Sequence, residues 1–273
     1  MFSGFMVDTW IAAVLVALLA GAVGFFVVLR GSTFVAHALP NGSFAGAAAA
    51  ALLGVSALVG LATFAVFGAL AIAGLGRRGR HDAATALVLV LMLALGALFI
   101  DLSAQYAPDV EALLFGEVLG ISAARLVPTA AITGACLVAL ALLYRPLLLG
   151  TALPESARAR GVRVGVVELC FLLVVALATA LTVPVVGTLL VFSLMVGAPA
   201  AARALCDRPG RALALSVAIA LLAVGAAIAG AYETDYPVGF FVGTVSAGCY
   251  VLGRILGARR RRVEHLAAER VAA

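Results

Sequence analysis

Apolar runs of about twenty residues recur along most of this chain, the helical length that a hydrocarbon layer of about 30 Å demands. Inside a bilayer each backbone N–H and C=O must find its partner within the protein, and runs of this length do so as helices. The chain is therefore expected to be all-α, a polytopic transmembrane helical bundle. Composition agrees: 65% of residues are hydrophobic and 11% charged, against about 25% charged in a soluble domain. No Gly-rich phosphate loop and no nucleic-acid motif stands anywhere in the sequence. The net charge of +5 is not read as a nucleic-acid footprint, because basic residues in such a chain follow membrane topology.

In chain order, a first span covers Trp10–Leu29 and ends at Arg30. It has no basic leader, so a retained helix is expected in preference to a cleaved signal peptide, although Ala20–Ala22 has the small residues of a cleavage site. An apolar tract from Phe34 to Leu75 has basic flanks at both ends and must cross an even number of times, as two short helices broken near Gly54–Gly60. Ala83–Leu102 follows, then an acidic loop and a possible re-entrant segment, Leu113–Ser122. Further spans are expected at Leu126–Leu149, Val166–Val183, Val186–Leu205, Ala212–Ala231 and Val238–Leu256. That makes about nine spans, with eight as the alternative if the first segment lies differently.

All 18 basic residues are arginine. The nine-span scheme puts every arginine except Arg125 on the cytoplasmic side. It thus predicts an outside N-terminus and a cytoplasmic C-terminus in the cell membrane. The whole chain, 1–273, reads as one transmembrane domain, with a charged cytoplasmic segment at 153–164 and a basic cytoplasmic tail at 257–273. The tail is a topological anchor first and a lipid- or partner-binding element second. Cys136, Cys170, Cys206 and Cys249 lack metal-ligand spacing and are expected to be reduced thiols.

No HExxH, no Gly-x-Ser-x-Gly and no carboxylate pair on one helix is present, so an intramembrane enzyme finds no support. Ionisable groups near spans are few and each is a functional candidate, because charge in hydrocarbon is costly. Glu117 lies in the possible re-entrant segment. Glu168 stands near the cytoplasmic start of its span, where pairing with Arg163 is the competing structural role. His37, near the start of span two, is a weak metal candidate that can also snorkel to the interface. Pro184 and Pro199 are expected to break their helices, as hinges or as exposed carbonyls on a pathway, with satisfaction of the freed groups by neighbouring helices as the alternative.

The segment Leu153–Val164, LPESARARGVRV, is different in kind. Pro154 suits a first helical position, Glu155 the positive first turn, Arg158 and Arg160 the negative end, and Gly161 a left-handed stop. A helix of about seven residues spans roughly 10 Å, too short to cross. It reads as a small helix outside the membrane whose Ala/Ser face lets another protein approach, or as an ordinary basic loop.

Four stretches together resemble the membrane permease subunit of zinc- and manganese-type ABC importers, the ZnuB/MntB/TroC-like permeases. They are VGFFVVLRGSTF at Val23–Phe34, DVEALLFGEVLGIS at Asp109–Ser122, PESARARGVRV at Pro154–Val164 and VVGTLLVFSLMVGAPAAARAL at Val185–Leu205. The resemblance implies a transport subunit and no enzyme, with ATP bound by a partner ATPase subunit and no cofactor on this chain. It further implies a permease homodimer and an extracytoplasmic metal-binding protein that delivers zinc or manganese, or iron. Glu155, Ala157, Ala159 and Gly161 would form the helix that couples to the ATPase. Glu117, Glu168 and Pro199 would belong to the pathway or gate. One departure concerns the Asp and His of the family's early motif, whose positions are read here as Ala36 and Pro40, with His37 displaced by three. Two other classes remain open: a stand-alone ion-coupled secondary transporter, and a non-transporting membrane scaffold.

Overall fold

A computed structural model describes residues 4–76, 81–102, 123–234, 236 and 238–272. Those residues form ten helices with no strand among them: α1 Gly4–Leu29, α2 Thr33–Leu53, α3 Ala57–Leu75, α4 His81–Leu102 and α5 Ala123–Ala152, then the short α6 Pro154–Ala159, then α7 Val164–Val186, α8 Thr188–Leu205, α9 Pro209–Thr234 and α10 Val238–Ala272. Seven of them, α1, α3, α4, α5, α7, α9 and α10, are long and apolar enough to cross a membrane. The other two expected spans are α2 and α8. Both are helices; α2 is diluted by His37, Pro40, Asn41 and Ser43, and α8 is 18 residues long. The expected break in the second tract is present: α2 ends at Gly54, whose N–H bonds back to the carbonyls of Ala50 and Ala51, and α3 starts at Ala57. The acidic loop, the possible re-entrant segment and Glu117 lie outside the described residues.

The prolines behave differently from expectation. Pro184 and Pro199 sit inside α7 and α8 without ending either helix, and the break between them falls at Gly187. A missing proline N–H is tolerated within a packed bundle when neighbouring groups engage the freed carbonyl.

Burial identifies the centre. Of the apolar window of α1, 72% is buried, against 17% for that of α5, so α1 is the axial helix and α5 faces outward. Phe26 of α1 meets Tyr144 of α5 and Phe171 of α7 edge-on, at ring distances of 5.7 and 6.4 Å. Ser216 of α9 donates a 2.7 Å hydrogen bond to the carbonyl of Gly21, the kind of interhelical polar contact that small residues permit. All four cysteines are unpaired.

Elsewhere the bundle is held by backbone-to-backbone proximity. A Cβ built on Gly46 of α2 would run into the carbonyl of Gly60 of α3, and the reverse is also true. Without a hydrophobic force between helices in lipid, such close packing supplies much of their association. Gly46→Val should therefore force α2 and α3 apart and lower stability by about 2 kcal/mol or more. At Gly74 of α3 an added Cβ would meet nothing within 4 Å, and Gly74→Ala should be neutral or stabilising by up to about 1 kcal/mol. Unfolding midpoints of both variants in detergent check the contrast.

Candidate functional site

The bundle gathers the expected cytoplasmic segments at one end. Arg30 closes α1, His81 opens α4, and Glu168 lies in the second turn of α7. His81 folds over Gly76, where an added Cβ would lie 2.6 Å from Nδ1. From there Nδ1 reaches Glu168 Oε1 at 3.6 Å. The Arg30 guanidinium lies 5.5 Å from the centre of the Phe171 ring, one turn along α7 from Glu168. Burial holds the Arg30 pKa below its ordinary value, and the Glu168 carboxylate pulls in the opposite direction. Glu168 thus meets His81, from another helix, instead of the expected Arg163, which stands exposed before α7. Arg30 feels the same carboxylate as a charge and is seated on Phe171, one turn further along α7.

α2 and α8 form the second part of the site. The His37 ring is edge-on to Phe192 of α8 at 5.3 Å. Asn41, one turn further on and on the same face of α2, donates its Nδ2–H to the His37 carbonyl at 2.8 Å. Ser43 donates to the carbonyl of Pro40 at 2.8 Å. These side chains supply hydrogen bonds around a proline that has no N–H to give. Ala36 and Pro40 are both buried, so the exposed donor on this part of α2 is His37, with Asn41 half-buried beside it. The one-turn spacing of His37 and Asn41 was the sequence signal for that pairing. Among the described residues, no group of three His, Cys, Asp or Glu could hold a metal ion.

Pro199 is buried in α8. Its missing N–H leaves the Met195 carbonyl without a helical donor. That carbonyl is seated against Gly24 of α1, where any Cβ would collide with it, and the Pro199 ring lies 2.9 Å from the same point. Gly24 was not singled out in the sequence. Its signal is only its place in a glycine-rich helix, which many packing glycines share.

At α6 the expected end signals hold. Pro154 opens the helix, Glu155 is in its first turn and Arg158 in its last. Gly161 has φ +77°, a left-handed conformation that costs other residues about 1 kcal/mol. The turn is closed by bonds from Gly161 N–H to the Arg158 carbonyl and from Val162 N–H to the Ala157 carbonyl, both 3.0 Å. The small face, however, does not point outward as a unit. Ala157 is fully buried against this chain's own helices, while Glu155, Ser156, Arg158 and Ala159 are exposed. A partner would meet the exposed set, with Ala157 as the anchor beneath it.

The Glu168 contact is open to measurement. A double-mutant cycle over His81→Ala and Glu168→Gln should give a coupling of about 0.5 kcal/mol, reduced by solvent. The same cycle over Arg163→Gln and Glu168→Gln should give none. Unfolding of the four-variant sets in detergent reads both, and the reverse ranking would remove the assignment.

Known proteins of similar sequence were found. The chain is 32% identical over 223 residues to the "Manganese transport system membrane protein MntC" of Halalkalibacterium halodurans, covering 81% of this chain and 75% of that protein. It is 25% identical over 263 residues to the "Manganese import system permease protein ScaB" of Streptococcus parasanguinis, covering 96% and 94% respectively. Its fold matches a solved structure described as PsaBC from Streptococcus pneumoniae in complex with Fab. The TM-score is 0.82 at 22% identity, over 92% of this chain and 91% of that one. The family model of the ABC 3 transport family matches residues 3–257. With that match running from the start of α1 to the end of the apolar part of α10, this multi-pass membrane protein belongs to the ABC 3 transport family.

Proposed function

We propose that this chain is the membrane permease of an ATP-driven importer of manganese, with zinc or iron as lesser cargoes. The observation that carries the reading is the match over residues 3–257 together with relatives named for manganese transport. In this reading the permease acts as a homodimer in the cell membrane, fed by an extracytoplasmic metal-binding protein. ATP is hydrolysed by a separate ATPase subunit beneath it. The orientation of this reading rests on charge: Arg30, Arg158, Arg160, Arg203, Arg208 and Arg211 stand at helix ends or turns, which the arginine rule assigns to the cytoplasmic side.

The ATPase meets α6 through Glu155, Arg158 and Ala159, and Gly161 sets the turn that presents them. The cation passes along the α2–α8 seam, where His37 and Asn41 offer neutral nitrogen and oxygen donors suited to a borderline divalent ion. Glu117 and Pro199 remain pathway or gate candidates. Glu168 acts at the cytoplasmic end by holding α1, α4 and α7 in register.

Co-expression with the cognate ATPase should give ATP-dependent manganese accumulation exceeding that of zinc and iron, measured as cell metal content. Uptake by the purified chain alone, driven by an imposed ion gradient without ATP, would instead establish a secondary carrier. Ala159→Glu should lower co-purification of the ATPase by about tenfold, as expected for a buried charge at an interface centre. Ala157→Glu should act differently, reducing the yield of folded permease before any binding is measured.

A further inference from the structure

A cleft of about 500 Å³ lies at the end of the bundle where α1, α8 and α10 meet. Its origin is a glycine seam. A Cβ on Gly253 would lie 3.0 Å from the backbone of Ala201, and one on Gly257 would collide with the Ala204 carbonyl. The α8 and α10 backbones therefore touch, and the long side chains of this region stand along the flank of the seam. Three of them, Arg203, Tyr250 and Arg254, line the cleft, over a floor that includes Val28 and Ala204.

The polar groups are short of partners. Arg203 donates from Nη1 to the Val28 carbonyl at 3.5 Å, and Arg254 from Nη1 to the Tyr250 hydroxyl at 3.4 Å. Arg254 also lies 5.9 Å from the centre of the Tyr250 ring. Each guanidinium carries five N–H donors, so most of them have no protein acceptor among the described residues. The contact between His81 and Glu168 involves neither arginine, and no described carboxylate reaches them. Arg254 stands within the apolar window of α10, which runs from Val238 to Ala258. Both arginines are exposed and line one cleft at the edge of the apolar span, where an anion between them would be stabilised by both charges.

We infer that this cleft binds the phosphate of an anionic phospholipid from the adjoining leaflet. Arg203 and Arg254 grip the phosphate oxygens and Tyr250 contributes its hydroxyl, while Val28 and the alanines take the glycerol and first methylenes. The lipid is favoured over a free anion because Arg254 lies inside a membrane span, at the level where head groups present phosphate and beside apolar wall. Basic pockets between membrane helices recognise acidic head groups in this way. The site is independent of which ion the bundle transports.

Native mass spectrometry of the full chain, extracted from bilayers of mixed phosphatidylglycerol and phosphatidylcholine, tests the site. One phosphatidylglycerol per chain should persist, and retention should fall about tenfold in the R203Q/R254Q double variant. R208Q/R211Q, which removes the same charge at the exposed start of α9, should keep it. Should R203Q/R254Q fold poorly, R203K/R254K serves, since it keeps the charge but loses the bidentate grip and should bind with intermediate retention. Added phosphatidylglycerol should raise the unfolding midpoint of the wild-type chain and leave that of R203Q/R254Q unmoved. Equal retention by R203Q/R254Q and wild type overturns the site. Equal stabilisation of wild type by inorganic phosphate overturns the lipid as its source. Loss of a co-purifying protein without loss of lipid reassigns the arginines to a protein contact and overturns it as well.

Discussion

Direct backbone contact between the axial helix and its neighbours is the constraint on which the rest of this bundle rests. Gly24 of α1 receives the Met195 carbonyl that Pro199 has freed, and Gly21 receives Ser216 and the backbone at Val217. Each contact needs a hydrogen where other residues carry a Cβ. Proline and glycine act here as one device across two helices: the first leaves a carbonyl without its helical donor, and the second lets another backbone close over it. In lipid, where apolar surface gains little by leaving its surroundings, this proximity replaces the hydrophobic drive of a soluble core. It also explains how α8 stays helical through Pro199.

Around that axis the polar groups are sorted by position along the bundle. The carboxylate of Glu168 meets His81 and its neighbour Phe171 carries Arg30, so that the starts of α4 and α7 and the end of α1 meet through adjacent turns of α7. Arg203 reaches the last turn of α1 through the Val28 carbonyl. The partial negative charge of a helix C-terminus favours a cation there. Among the buried hydroxyls, Thr179 and Thr182 of α7 bond to carbonyls of their own helix, whereas Thr133, Thr188 and Ser246 have no partner among the described residues. The α2–α8 seam adds His37 and Asn41 to the polar groups of the bundle.

Much of this was legible in the sequence because it depends on composition averaged over a span. The helical segments, the break near Gly54 and the end signals of α6 all follow from local residue type. What depends on rotation about a helix axis was not legible. Ala157 and Ala159 look alike in a sequence, yet one is buried beneath α6 and the other exposed. Glu168 has Arg163 nearby in sequence, but helix geometry turns it toward His81, 87 positions away. The prolines suggested breaks because their local cost is known, whereas the compensation at Gly24 lies on another helix. Gly187, with an extended ψ of 152° at φ 90°, carried the break instead.

These placements bear on how a push at α6 would travel if an ATPase docks there. Ala157 is wedged against the bundle and α6 is joined to α7 by a short glycine turn, so α6 cannot move far without moving the start of α7. A displacement of the start of α7 would reach α4 through the Glu168–His81 contact and α1 through Phe171 and Arg30. α1 is in backbone contact with α8 at Gly24, and α8 bears Phe192 against His37 on the far side of the seam. Packed interiors are stiff, so a displacement passed along such contacts is met by a change of seating, not by gradual compression. Between α1 and α8 the seating is set where Gly24 receives the Met195 carbonyl, with the Pro199 ring beside it. A step of α8 along α1 would carry Phe192 past His37 and so change the packing of the α2–α8 seam.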